Sequence, residues 1–215
     1  MTVLWQDNDL MIVEKLPGQL SEASESPLSL PHILKKEFFL TETPHPVHRL
    51  DREVGGALLL AKNASTMASV SRLAAEGGIH KTYLAVTEGI PPAKEDYFQD
   101  LLFHDKTRNK TYVVKKERRG VRFAALSYRT VKETDQSGEL ALCEVTPETG
   151  RTHQIRVQFA ARHLPLFGDR KYGAKRKDGA FGLWCYQLSF LHPKTGKELL
   201  VSAPPPGQFP FSLFI

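Results

Sequence analysis

Two stretches of this chain gather side chains able to do acid–base chemistry: PHPVHRLDREVGG (44–56) and TPETGRTHQIRVQ (146–158). In the first, Asp51 follows Arg49 by two positions and stands just ahead of the aliphatic run ALLLA (57–61). A carboxylate so placed can be held in a groove beside cations, an adjacent cation keeping it ionised. It can equally be half of a surface ion pair at a strand end. If 47–51 are extended, side chains alternate between faces, so Arg49 and Asp51 share one. In the second stretch Gly150 offers a sharp turn and Thr152 can cap a following helix. His153 and Arg156, three apart, then lie on one helical face, with Ile155 and Phe159 turned to the core. A guanidinium fixed one turn inside a helix can pair with a carboxylate or a phosphate, and Arg151 ahead of it can contact backbone phosphate. An amphipathic surface helix with ordinary arginines fits the same residues.

Other chemistries lack their signatures. No G-x-x-x-x-G-K-[ST] phosphate loop, G-x-S-x-G elbow or H-E-x-x-H zinc helix occurs. His45 and His48 are three apart, but Pro46 between them argues against a helical metal pair. Cys143 and Cys185 are too few and too far apart for a zinc knuckle or a disulfide framework, and each sits in an apolar run as a small core residue would. The expected chemistry therefore rests on Asp51 with basic and aromatic neighbours, with no metal and no nucleotide cofactor.

Charge is informative by location. Residues 106–122, KTRNKTYVVKKERRGVR, hold eight Lys or Arg against the single Glu117, leaving 21 basic and 23 acidic residues elsewhere, so the net +5 arises in one segment. Concentrated positive charge around Tyr112 suits a polyanion, although a solvated basic hairpin would read alike. No run near 20 apolar residues suggests a membrane span, and MTVLWQDNDL is acidic where a signal peptide is basic. A cytoplasmic protein is expected.

These clusters must be carried by elements readable from pattern and punctuation. LMIVEK (10–15) reads as a strand broken by Pro17-Gly18, and SEASESP (21–27) as a polar loop. Residues 29–39 suggest a helix with Ser29 as cap and Pro31 in the first turn, with Ile33, Leu34 and Phe38 inward. ALLLA is a buried strand. Asn63 can cap a helix over 64–76, where Met67, Val70, Leu73 and Ala74 recur at helical spacing and Gly77-Gly78 ends it. Strands follow at 82–89, 122–131 and 140–146, a helix at 153–163, and a final strand pair in LWCYQLSFLH and ELLVSAP. Strands outnumber helices and several are consecutive. This predicts an α+β fold, one domain over 1–215, with a largely antiparallel mixed sheet flanked by helices.

Together, HRLDREVGGALLLAK, KTYLAV (81–86), GRTHQIRVQ (150–158) with GDRKYG (168–173), and LSFLHP (188–193) resemble, in order, the motifs of the RluA-type family of RNA pseudouridine synthases. The resemblance spans about residues 10–205. It implies a pseudouridine synthase-like fold and a cofactor-free isomerase that breaks the uridine N1–C1′ bond, turns the uracil and rejoins C5 to C1′. It makes Asp51 the catalytic aspartate, Arg156 the arginine that pairs with it and keeps it ionised, and Tyr83 the aromatic packed against the extruded base. Arg49 resembles the arginine that enters the space the base vacates. The RNA-contacting set is then Arg49, His48, Arg151 and His153, joined by Arg108, Lys110, Lys115 and Lys116 of the basic stretch. The partner is structured RNA, ribosomal or transfer; no membrane is involved and a monomer is expected.

Three departures stand out. Val54-Gly55-Gly56 occupies the place of the family's Thr-Ser-Gly, losing two hydroxyls, and Lys15-Leu16-Pro17-Gly18 loses the first proline of K-P-x-G. The chain starts at the catalytic region, leaving no room for the small N-terminal RNA-binding domain of some relatives. An RNA-binding protein descended from a synthase, with weak or no activity, is the alternative. A small-molecule glycosidase would want a second catalytic carboxylate, which no motif supplies.

Overall fold

In the computed structural model the described residues are 2–136, 138–176 and 178–214. In chain order the strands are β1 (Val3–Gln6), β2 (Leu10–Lys15), β3 (His45–Pro46), β4 (Gly55–Ala61), β5 (Ile79–Glu88), β6 (Glu95–Asp105), β7 (Lys110–Val114), β8 (Val121–Thr134), β9 (Leu140–Pro147), β10 (Leu183–Leu191) and β11 (Glu198–Ser202). The helices are α1 (Leu30–Glu37), α2 (Ala64–Ala75) and α3 (Gln154–Ala160), with short 3-10 turns at Arg170–Tyr172 and Phe211–Leu213. The class is α+β, as the sequence leads one to expect. The chain divides into two compact units, one running up to Lys81 and adding Trp184–Pro205, the other Thr82–Leu183 with the residues from Pro206 on.

In the first unit the strand order is β1-β2-β4-β10, with β3 beside β4 and β11 beside β10. Pairing is antiparallel except for β4 with β10, where Gly55 and Gly56 face Trp184 and Cys185 in parallel register. Leu10–Val13 and Ala57–Ala61 are fully buried, which is why both strands read as unbroken apolar runs. The Asn63 side chain accepts from Thr66 N at 2.9 Å to start α2, which packs on β4 through Val70. Ser29 caps α1 as expected, and Leu34 is buried, whereas Phe39 is 91% exposed. Residues 47–51 leave the strand after Pro46 rather than extending it. Their side chains are therefore placed by local hydrogen bonds, not by strict alternation.

The second unit orders its strands β5-β9-β8-β6-β7, all antiparallel. Its core gathers the rings of Phe98, Tyr128 and Phe159, with centroids 5.0–5.3 Å apart. Helix α3 packs on β6, β7 and the Arg170–Tyr172 turn. It is shorter than the expected 153–163. Residue 153 adopts a left-handed conformation at φ 56° and the chain turns again at His163, φ 61°. Among the described residues no helix is long and apolar enough to cross a membrane, and no group of three or more His, Cys, Asp or Glu could hold a metal ion.

Candidate active site

The Asp51 turn is built on Lys15. This side chain is fully buried, and its Nζ donates to the carbonyls of Val54 at 2.6 Å, Arg52 at 3.1 Å, and Asp51 and Leu16 at 3.3 Å. Four carbonyls thus share the three donors of one ammonium. Burial pushes the Lys15 pKa down to about 8, while the Asp51 and Glu53 carboxylates pull it back up. The turn closes with Val54 N donating to Asp51 O at 3.0 Å. It is tied to the Pro17-Gly18 break by Gly18 N donating to Arg52 O at 2.7 Å. On the other side the Ser21 hydroxyl both accepts from Leu50 N and donates to Leu50 O, each at 3.0 Å. The half-buried Asp51 side chain therefore projects from a turn with little freedom.

The Val54-Gly55-Gly56 departure has a packing reason. A Cβ on Gly55 would strike the six-membered ring of Trp184, which is 2% exposed and anchored by its indole N–H to Ala203 O at 2.9 Å. A Cβ on Gly56 would strike the Cys185 backbone, and Gly56 holds φ +112°, a conformation costly for any other residue. The indole fills the space a side chain at position 55 would need.

His48 and Arg49 flank this turn. His48 Nε2 accepts from Leu59 N at 3.2 Å, so in the neutral ring the proton sits on Nδ1, which is shielded and has no partner. Burial, reinforced by the charge of Lys81, drives the imidazole pKa down to about 3, and it carries no charge near neutral pH. Arg49 is exposed and paired with the equally exposed Glu22. Such a pair contributes little and can be exchanged for another anion.

In the second unit Arg156 is 4% exposed and forms a two-pronged pair with Asp169, itself 1% exposed: Nε to Oδ2 at 2.7 Å and Nη2 to Oδ1 at 2.9 Å. Its guanidinium lies 5.2 Å from the Tyr172 ring centre and 5.1 Å from that of Phe181. The Tyr172 hydroxyl accepts from Thr111 N at 2.8 Å and meets His153 Nδ1 at 2.9 Å, and burial raises its pKa. His153 and Arg156 converge on one tyrosine, although His153, left-handed at φ 56°, stands ahead of α3 and not on its expected helical face. The expected Thr152 cap is absent. Instead Gln154 reaches back, accepting from Thr149 Oγ1 at 2.7 Å and Arg151 N at 3.0 Å while donating to Ala125 O at 2.9 Å. Arg151 is exposed, with Nε on Phe123 O at 3.0 Å. Tyr83 lies on β5 opposite Val145 and is 9% exposed.

The basic stretch forms β7 and the connection to β8. Arg108, Lys115 and Lys116 are exposed, and Lys110 places its ammonium 5.3 Å from the Tyr172 ring centre. The Tyr172 ring thus meets both Lys110 and Arg156. Asp169 and Tyr172 went unread as site residues although GDRKYG was visible as a motif; an acid set between glycines and cations was the available signal. Lys15 was legible only as part of a departed pattern.

The chain matches the family model described as RNA pseudouridylate synthase over residues 9–161. Ribosomal large subunit pseudouridine synthase C of Buchnera aphidicola subsp. Schizaphis graminum is 30% identical, aligned over 94% of this chain and 66% of that protein. Ribosomal large subunit pseudouridine synthase D of Borreliella burgdorferi is 30% identical over 84% of this chain and 56% of that protein. This chain therefore spans less than two thirds of either relative. The solved structure titled Human RNA Pseudouridylate Synthase Domain Containing 1 superposes with a TM-score of 0.81 at 23% identity, over 99% of this chain and 85% of that one.

Proposed function

This chain belongs to the RNA pseudouridylate synthase family, and from that premise we propose that it isomerises specific uridines in structured RNA to pseudouridine without a cofactor. Ribosomal RNA is the preferred substrate class, because two similar proteins are named as large-subunit ribosomal enzymes. A cytoplasmic location accompanies that substrate. The observation that carries the reading is the Asp51 turn, whose backbone is clasped by the buried Lys15 ammonium. Glycosyl chemistry needs a carboxylate held still beside the anomeric carbon, as nucleophile or base. Asp51 takes that role. Tyr83 supports the extruded uracil and Arg156 acts as the cationic partner, as their motif positions imply. Cationic contact to phosphate falls to Arg49, Arg151, Arg108, Lys110, Lys115 and Lys116. His48, neutral and bonded to main chain, and His153, bonded to Tyr172, join the RNA surface by their motif positions.

Asp51→Asn removes the ionised oxygen with almost no change of shape. Pseudouridine formation on a ribosomal RNA fragment should fall below detection while affinity for the fragment stays within about twofold. Substantial turnover by the variant would overturn the assignment of Asp51. Chelation should leave wild-type activity intact.

A further inference from the structure

Strands β6 and β8 pair Leu101 with Phe123 and Phe103 with Val121. Residues two apart on a strand share a face, so these four side chains form one apolar patch at the basic end of the second unit. Half of it is roofed, since the Arg118 guanidinium lies 4.6 Å over the Phe103 ring. The Phe123 half is open, with 48% of that residue exposed. Between them is a recess of about 390 Å³ lined by Leu101, Glu117, Arg118, Val121 and Phe123, within the size range of small-ligand sites.

Glu117 makes this more than a cationic surface. It is the one acid among the nine charged residues of 106–122, and among the described residues it makes no ion pair or side-chain hydrogen bond. A surface meant only for phosphate gains nothing from a carboxylate, which cancels charge where attraction is needed. An acceptor beside an open aromatic ring, ringed by cations, suits instead an RNA base with donors on its edge. Guanine alone presents two adjacent donors, N1–H and the N2 amine, matched to the two oxygens of a carboxylate. Adenine, cytosine and uracil each set an acceptor beside their donor, which a carboxylate repels.

We propose that this recess binds one unpaired guanine of the RNA, its face on Phe123 and its Watson–Crick edge on Glu117, with Arg118 and neighbouring cations holding the flanking phosphates. The inference rests on the reading of the chain as an RNA-binding synthase and adds a sequence-reading subsite outside the chemistry. Bases splayed from single strands are commonly read by such stacking and edge contacts.

The test measures affinity of the whole chain at low salt for three pentanucleotides, UUGUU, UUIUU with inosine lacking the N2 amine, and UUAUU. Wild type should bind the guanine strand about fivefold or more tightly than either other. Glu117→Gln should erase that preference, and Phe123→Leu should weaken all three by about tenfold; both positions are exposed, and circular dichroism checks the fold. Equal wild-type affinities, no binding of any strand, or a preference untouched by Glu117→Gln would overturn the subsite. Turnover plays no part in this readout, so its outcome is separable from that of Asp51→Asn.

Discussion

Around Asp51 the chain is held through its main chain, four carbonyls converging on the Lys15 ammonium and two glycines closing against Trp184 and Cys185. Around Arg156 it is held through side chains, a buried carboxylate and a tyrosine fixing a guanidinium that an amide at the helix start lets into place. The two devices suit different tasks. A turn whose carbonyls are clasped by one ammonium fixes the backbone from which the Asp51 side chain projects. A side-chain lattice holds a charge in a dry setting, where opposite charges interact strongly. Such a lattice is also fragile, since removing one member strands another.

That fragility sets the largest effect. Asp169→Ala removes the two-pronged carboxylate partner of the buried Arg156 guanidinium, and breaking a buried ion pair from one side costs about 3–5 kcal/mol. Urea unfolding should show a loss of this size, with turnover falling alongside. A loss under about 1 kcal/mol would mean that Arg156 finds water or another anion at once, and the contrast between the two regions would weaken.

Lys15→Met probes the main-chain device, and a smaller cost is expected, about 2 kcal/mol, because the carbonyls it abandons lie partly within reach of water. The pH dependence distinguishes a clasp from mere filling. Lys15 in the folded protein loses its proton near 8, against an ordinary 10.5. Between those values the unfolded chain binds more protons, so wild-type stability should rise with pH relative to the variant, by up to about 1.4 kcal/mol per pH unit. Below pH 8 both should follow one slope. Parallel curves from pH 7 to 10 would show that Lys15 titrates normally and does not stand buried among carbonyls.

The sequence made one of these devices more legible than the other. Continuous apolar runs and side-chain caps marked β2, β4 and α2, because burial on both faces and a cap hydrogen bond leave local signatures. Strand β6 escaped because only Phe98 and Leu102 of its eleven residues are buried, a spacing of four that fits neither alternation nor a core run. Strand β7, KTYVV, was hidden by its shortness and by the cations on both sides of it. The motif residues Asp51 and Arg156 could be named, but not what holds them: Asp169 lies thirteen positions from Arg156, and Lys15 thirty-nine from Val54. Partners so distant are brought together by tertiary packing and leave no periodic trace. The Val54-Gly55-Gly56 departure was visible, while its cause, an indole 129 positions away at Trp184, was not.

The smallest expected effect separates the two glycines of the Asp51 turn, and it asks whether main-chain closure is fixed by backbone or by a replaceable neighbour. Gly55 meets a side chain, the Trp184 ring, while Gly56 meets the Cys185 backbone and also carries a positive φ. Gly55→Ala should therefore cost about 1–3 kcal/mol in wild type, the usual penalty for overpacking. Trp184→Phe removes the ring that the new methyl would strike, at its own cost in lost packing and in the bond to Ala203. In that background Gly55→Ala should cost less than about 0.5 kcal/mol, giving a coupling of about 0.5 kcal/mol or more across the double-mutant cycle. Gly56→Ala should show no such coupling, because shrinking Trp184 relieves neither its φ nor the Cys185 carbonyl. Urea unfolding of the single and double variants measures both cycles. Coupling at Gly55 alone would mark the indole as the element that substitutes for the missing family side chain, whereas additivity at both positions would place the rigidity of the turn wholly in its backbone.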